Sequence, residues 1–199
     1  MKTEREYRSF LIDPIEEKDD EEKSYIVEGY ASTFEPYVLW EEDGVTISEQ
    51  VDRDAFTGAD MSDVVFRIDH EGPVYARTSN KAIELSTDDH GLKIRADLSR
   101  TEKARGIYED IAAGMYPQMS FAFQVEEEDW NRETHTRIIK KFKKIFDVSP
   151  VSFPANPGTE IGVSLRDRLN GEIEAERAER LEAERKRKYI ELRMKLERI

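Results

Sequence analysis

The clearest hydrophobic pattern in the chain lies in MYPQMSFAFQV, residues 115–125. Every second position in the latter part of this stretch is large and apolar: Met119, Phe121, Phe123 and Val125. The positions between them carry Ser120, Ala122 and Gln124. Because successive side chains of a β-strand point to opposite faces, this alternation predicts a strand with one apolar face and one small, polar face. A half-buried strand whose polar face meets water would explain the same pattern without any functional role.

Short strands are predicted through most of the first 153 residues. They lie at residues 7–12, 24–34, 45–50, 64–70, 81–86, 92–98, 134–142 and 144–153, and the turn sequence TDDHG joins two of them as a hairpin. One helix is predicted before Gly114, because Ala104, Ile107 and Ile111 follow helical spacing, and Ser99-x-x-Glu102 has the form of a capping box. Many short strands around one helix predict an α+β fold: a small closed or nearly closed β-barrel with a few surrounding helices.

The end of the chain differs from the rest in composition. From Glu172 to Ile199 there are 8 acidic and 9 basic residues, with no glycine and no proline. A helix is therefore predicted, and Tyr189, Leu192, Leu196 and Ile199 have the 3,4,3 spacing of a coiled-coil seam. A solvated single helix held by ion pairs one turn apart would explain the charges equally well. We therefore expect a β-barrel domain over residues 1–165 and a charged helical tail over residues 166–199.

Composition excludes several classes of protein. The chain has no cysteine, so it can form neither a disulfide framework nor a thiolate zinc site. No run of 18 apolar residues occurs, and MKTEREYRSFLI lacks the apolar region of a signal peptide. The net charge of −13 argues against general nucleic-acid binding, which requires a basic surface. We expect a soluble cytosolic protein that binds neither nucleic acid nor membrane.

Three histidines are the candidate proton carriers of the chain. His90 lies in the TDDHG turn and His135 in a polar loop, so both are expected to be exposed and without a catalytic role. His70 ends the apolar stretch VVFRIDH and is expected against the core. Its neighbours Asp69 and Glu71 would point to the opposite face of a strand, which argues against a metal site there. We expect no metal and no cofactor.

An acidic residue inside an apolar strand is the third candidate. Asp147 lies in KKIFDVSPVSF, where a carboxylate requires a partner. A serine, a histidine and an acid form the minimum set for acyl transfer, because the base activates the hydroxyl and the acid orients the base. The residues alone leave structural roles open for all three, such as a turn cap or a lysine pair for Asp147.

Six short stretches occur in an order that resembles a known family. They are EGYAS (residues 28–32), DAF (54–56), DH (69–70), DDHGL (88–92), MSFAF (119–123) and DVSPVSFPANP (147–157). Together they resemble the tailed-phage prohead (capsid maturation) serine protease family, which is related in fold to the herpesvirus assemblins. The resemblance covers about two-thirds of the chain, and it implies a serine endopeptidase with a small β-barrel that acts inside an immature capsid.

The resemblance also implies roles for particular residues. The family's serine falls on Ser120 as nucleophile and its histidine on His70 as general base, while its late acid matches Asp147 as the orienter of the imidazole. Ala122 stands where the family more often has glycine. Its small side chain would let a substrate backbone approach the polar face of the strand. Further candidates for substrate or oxyanion binding are Ala155, Asn156 and Arg77.

The function that this resemblance implies is cleavage of the phage capsid protein or its scaffold segment. The enzyme, encoded by a phage or prophage, would also cleave itself. It would act within the assembling prohead in the cytoplasm of the host bacterium. Self-association stays open. A non-enzymatic assembly or scaffolding protein that acts through the helical tail is the alternative, and the shortage of metal ligands argues against a metal-dependent hydrolase.

Overall fold

A computed structural model describes residues 5–11, 25–42, 44–152 and 163–196 of the chain. The chain divides into two compact units, Met1–Ile161 and Gly162–Ile199. The described part of the first unit contains helix α1 (Glu102–Ala112) and these strands: β1 (Glu6–Leu11), β2 (Ile26–Thr33), β3 (Tyr37–Glu42), β4 (Val45–Val51), β5 (Val65–Ile68), β6 (Glu71–Arg77), β7 (Ile83–Thr87), β8 (Gly91–Asp97), β9 (Gln118–Asn131) and β10 (Thr136–Val151). The second unit contains helix α2 (Val163–Leu196).

The strands form two open sheets. The large sheet has the order β1-β9-β10-β4-β3, and β5 and β6 branch from it through β10; the small sheet has the order β2-β8-β7. Strand β10 pairs antiparallel with β9 along one edge, and its other edge is shared by β4 near its start and β5 near its end. Because β10 divides one edge between two partners, the large sheet branches instead of curving into a closed ring. The α+β class is confirmed, and the expectation of a barrel is wrong.

Two long strands carry the centre of the large sheet. The separate strands predicted at 134–142 and 144–153 form the single strand β10, whose register against β9 shifts at several points between Ile139 and Asp147. Such bulges insert extra residues and interrupt the period-two alternation, which explains why the sequence pattern breaks there. Strands β3 and β6 were not predicted. The helix begins as predicted near residue 102, but Thr101 caps it by accepting a hydrogen bond from the Ala104 N–H at 3.1 Å.

One hydrophobic core joins the two sheets and α1. It includes Phe121 and Phe123 of β9, Phe142 of β10, Ile94 of β8 and Ala104 of α1, all fully buried. The rings of Phe121 and Phe123 stack with their centroids 4.6 Å apart, and Phe142 meets Phe123 edge-on at 5.0 Å. The predicted apolar face of β9 is therefore confirmed, and it holds the strand rigidly from one side.

A cluster of charged side chains holds β1 in the large sheet. We call it the buried ion cluster, and it consists of Arg8, Glu49, Arg137, Glu6 and Glu128, with the Tyr37 hydroxyl donating to Glu49. Arg8 Nε lies 2.6 Å from Glu49 Oε1, and Arg137 Nη1 lies 2.6 Å from Glu49 Oε2. Burial by itself would raise the pKa of the Glu49 carboxyl, but Arg8 and Arg137 lower this pKa to about 2. The cluster thus joins β1, β4 and β10 through the buried charges of Arg8, Glu49 and Arg137.

Helix α2 changes character along its length. Leu165, Leu169 and Ile173 are buried, whereas Leu181, Tyr189 and Leu192 are all more than half exposed. Ile199, the last residue of the predicted seam, lies outside the described residues. Within the part of the chain that the structure describes, no helix has the length and apolar character needed to cross a membrane.

Candidate active site

His70 lies in a tight turn between two strands. Strand β5 ends at Ile68 and β6 begins at Glu71, and these two residues pair with each other. Asp69 and His70 between them have φ values of 48° and 60°, the left-handed region used by two-residue hairpin turns. This conformation costs about 1–3 kcal/mol for a residue with a side chain, although Asp and His adopt it more often than most. The prediction that His70 belongs to the strand is therefore wrong, and the turn frees its ring from the alternation of the sheet.

Ser120 and Asp147 lie on the same face of two neighbouring strands. In the antiparallel pair of β9 and β10, Ser120 is opposite Ser149, and Ala122 is opposite Asp147. Directly opposite residues share a face, so Ser120 and Asp147 are diagonal neighbours on it. Strand β5 pairs with β10 at Asp147, and the turn that follows β5 brings His70 to this face.

The imidazole of His70 joins the other two side chains. His70 Nδ1 lies 2.5 Å from Asp147 Oδ1, and His70 Nε2 lies 2.7 Å from Ser120 Oγ. The buried carboxylate can only accept from Nδ1–H, and this assigns the free lone pair of the ring to Nε2, where the serine hydroxyl can donate to it. The three residues singled out in the sequence thus form one continuous hydrogen-bonded chain.

The carboxylate of Asp147 has a defined environment. The Ser149 hydroxyl donates to Asp147 Oδ1 at 2.8 Å. Asp147 Oδ2 has no hydrogen-bond partner among the described residues, but the Arg5 guanidinium lies 3.6 Å from it. A fully buried carboxylate is costly unless charges and donors compensate it. His70, Ser149 and Arg5 supply that compensation.

The small face of β9 is covered. Ser120, Ala122 and Asp147 are fully buried, and the side chain of His70 is only 13% exposed. Strand β1 pairs with β9 so that Tyr7 stands opposite Ala122, and the Tyr7 ring meets the His70 ring edge-on at 4.6 Å. In this conformation the face is closed, with Tyr7 packed against His70, and a role of Ala122 in a peptide-binding floor stays a prediction.

The other candidates for substrate binding lie elsewhere. Ala155 and Asn156 fall outside the described residues. The Arg77 guanidinium pairs with the Asp63 carboxylate, with Nε 2.9 Å from Oδ1. The described contacts of Arg77 thus direct it to a surface ion pair and not to Ser120.

The remaining histidines take no part in this arrangement. His90 is exposed against the ring of Tyr30, and His135 stacks on Trp130. Among the residues that the structure describes, no group of three or more His, Cys, Asp or Glu side chains could hold a metal ion.

Sequence reasoning missed several residues around the triad. Ser149 could have been found, because it lies two positions after Asp147 in DVS and therefore on the same face of one strand. No pattern in the neighbouring sequence indicates that Tyr7 and Arg5 lie near the triad or that Asp69 binds a distant segment. They reach the site through pairings between distant parts of the chain.

Comparison with known proteins agrees with this geometry. A family model described as caudovirus prohead serine protease (Peptidase_S78) matches residues 13–172. A search of curated proteins gave no match, and neither did a search of solved structures. The family match spans most of the chain and includes all three residues of the hydrogen-bonded chain. The protein therefore belongs to the caudovirus prohead serine protease family of serine peptidases.

Proposed function

We propose that this protein is an endopeptidase that cleaves the phage capsid protein or its scaffold segment, and also itself, inside the immature prohead. The prohead assembles in the cytoplasm of the host bacterium. The catalytic residues are Ser120, His70 and Asp147. The observation that carries this proposal is the unbroken hydrogen-bonded chain from Asp147 through both ring nitrogens of His70 to Ser120 Oγ.

The geometry suits a double-displacement mechanism. Ser120 Oγ attacks the scissile carbonyl carbon while His70 Nε2 takes the hydroxyl proton. The C–N bond then breaks, and the same proton passes from Nε2 to the leaving amine. Water attacks the resulting ester with His70 again acting as the base, and Ser120 is released with its proton. Asp147 holds Nδ1–H throughout and stabilises the imidazolium.

Substrate entry requires a rearrangement. Ser120 Oγ cannot meet a carbonyl group while Ser120 is fully buried. Tyr7 is the side chain that packs against His70 on this face, so its displacement is the proposed opening step. A closed resting state suits a protease that must not act before its substrate is assembled around it.

The exposed part of α2 supports a role in recognition. Leu181, Tyr189 and Leu192 offer apolar contacts on a charged helix, which suits helix-mediated binding to a scaffold segment or to a second copy of the chain. The same feature is what a non-enzymatic assembly protein would use, so the experiment must separate the two functions.

The test is co-expression with the major capsid protein of the same phage, followed by intact mass spectrometry of both proteins. We expect the wild type to shorten the capsid protein, and Ser120→Ala and His70→Ala to abolish processing, with the double variant no worse because the two residues act as one unit. Ser86→Ala removes an exposed hydroxyl in β7 and should behave as wild type.

The outcomes are distinct. Processing by Ser120→Ala at the wild-type rate would reject the nucleophile assignment. Wild-type protein that enters proheads but cleaves nothing would reject the peptidase and favour the assembly role.

A further inference from the structure

Asp69, the other residue of the turn that carries His70, binds to a distant segment of the chain. The Ser152 backbone N–H donates to Asp69 Oδ1 at 2.8 Å, and the Ser152 hydroxyl donates to Asp69 Oδ2 at 2.7 Å. The Asp69 N–H in turn donates to the Pro150 carbonyl oxygen at 3.0 Å. Three hydrogen bonds therefore join one turn residue to the segment 150–152, at the end of β10 and just beyond it.

These bonds differ from ordinary turn chemistry. An aspartate in a turn usually accepts from backbone groups two or three residues ahead of it. In this chain Asp97 does so with Ser99, and Asp60 with Ser62. Asp69 reaches across 83 residues to Ser152 instead, so its bonds do not shape its own turn but fix the turn against another strand.

The strand that it grips is the one that carries Asp147. Strand β10 therefore holds the turn at two points, with Asp147 bound to the His70 ring and residues 150–152 bound to Asp69. Two points of attachment define both the position and the tilt of the segment between them. A turn with two left-handed residues needs such outside support to keep a single geometry.

We propose that Asp69 is a positioning residue whose bonds to Ser152 hold the imidazole of His70 in line between Ser120 and Asp147. This inference rests on the proposed function of the triad. Asp69 has no contact with Ser120 or Asp147 among the described hydrogen bonds, and it acts only through the turn that it shares with His70.

Two substitutions at Asp69 separate positioning from folding. Glycine adopts the left-handed conformation freely, so Asp69→Gly keeps the turn but removes both bonds of the carboxylate. Asparagine also tolerates this conformation, and Asp69→Asn retains an oxygen for the Ser152 N–H and an N–H for the Ser152 oxygen. The matched control is Asp97→Gly, because the Asp97 carboxylate accepts the same N–H and O–H pair, from Ser99, in the small sheet.

The first assay is labelling of Ser120 by a small alkyl fluorophosphonate, followed by intact mass spectrometry of the full chain. In this reaction Ser120 Oγ forms a bond to phosphorus, fluoride leaves with the electron pair of the P–F bond, and His70 Nε2 takes the hydroxyl proton. The reaction depends on the triad but not on peptide specificity. Its saturation curve separates the limiting rate from the half-saturating concentration of reagent.

We expect Asp69→Gly to lower the limiting rate about 10- to 100-fold, because a displacement of about 1 Å at a reacting group has an effect of this size. Its half-saturating concentration should change less than about twofold, because binding of the reagent is not altered. Asp69→Asn should stay within about threefold of the wild type, and Asp97→Gly should match it.

The second assay records the ring ¹⁵N and Nδ1–H resonances of His70, assigned by comparison with His70→Ala. We expect Asp69→Gly to shift them and Asp69→Asn to leave them in place. Unchanged labelling and resonances in Asp69→Gly would overturn the positioning role. Equal losses in Asp69→Gly and Asp69→Asn would also overturn it, because they would assign the effect to the charge of the carboxylate. If the wild type is not labelled at all, the buried Ser120 is closed to the reagent. The resonances alone then decide the role of Asp69, and processing of the capsid protein decides the proposed function.

Discussion

Replacing Glu49 by glutamine tests how the buried ion cluster stabilises the large sheet. Glu49 is fully buried and accepts hydrogen bonds from Arg8 at 2.6 and 2.8 Å and from Arg137 at 2.6 Å. Glutamine keeps the shape of the side chain but removes its charge. Only the carboxylates of Glu6 and Glu128 then compensate the charges of the two buried guanidinium groups. Removing one partner from a buried ion pair typically costs about 3–5 kcal/mol.

The pH dependence gives a second measure of the same effect. The Glu49 pKa falls from its ordinary value of 4.5 to about 2, in spite of burial, because of Arg8 and Arg137. At about 1.4 kcal/mol per pH unit, this difference is worth about 3 kcal/mol in the free energy of unfolding. Because the folded-state pKa is the lower one, this stability is present above about pH 4.5 and is lost as the pH falls towards 2. The glutamine variant lacks this contribution at every pH.

We therefore expect the free energy of unfolding of Glu49→Gln to be about 3 kcal/mol lower than that of the wild type at pH 7, and only about 1 kcal/mol lower at pH 3. Urea unfolding followed by tryptophan fluorescence measures this, because both tryptophans, Trp40 and Trp130, lie in the first unit. Glu84→Gln, at an exposed position of β7, should differ from wild type by less than about 0.5 kcal/mol. A Glu49→Gln difference below about 1 kcal/mol at pH 7, or one that does not shrink in acid, would refute this account of the cluster.

Three further predictions concern the site and the tail. Asp147→Asn should slow fluorophosphonate labelling by on the order of 10⁴-fold. It should leave more reactivity than Ser120→Ala, because loss of the residue that orients the imidazole has less effect than loss of the nucleophile. Full reactivity would remove Asp147 from the site. Tyr7→Ala should speed labelling several-fold by uncovering His70, and slower labelling would show that the ring supports the imidazole more than it shields it. Truncation after Arg180 removes only side chains that are exposed or outside the described residues, so it should spare labelling. It should reduce incorporation into proheads, measured by immunoblot of purified proheads. Normal incorporation would reject the role of the tail in recognition.

The periodicity of apolar residues along the chain by itself determined the core face of β9 and the position of α1. The alternation from Met119 to Val125 predicts which face of β9 enters the core, and the 3.6-residue spacing around Ile107 predicts α1. Both succeed because the signal lies within a single element, where burial of one face dictates the pattern of side chains. Short motifs in the right order also indicated the protease family and singled out Ser120, His70 and Asp147.

Only the tertiary structure decided how these pieces meet. A barrel and two open sheets require the same alternating strands, and the sharing of one edge of β10 between β4 and β5 separates them. Tyr7 reaches the His70 ring through the pairing of β1 with β9, and the support of the His70 turn comes from Ser152, 83 residues away from Asp69. Such contacts depend on the register between distant segments. The local spacing of apolar residues decides which face of each strand enters the core, but registers that differ by two residues keep the same face. The packing of the whole core selects among those registers.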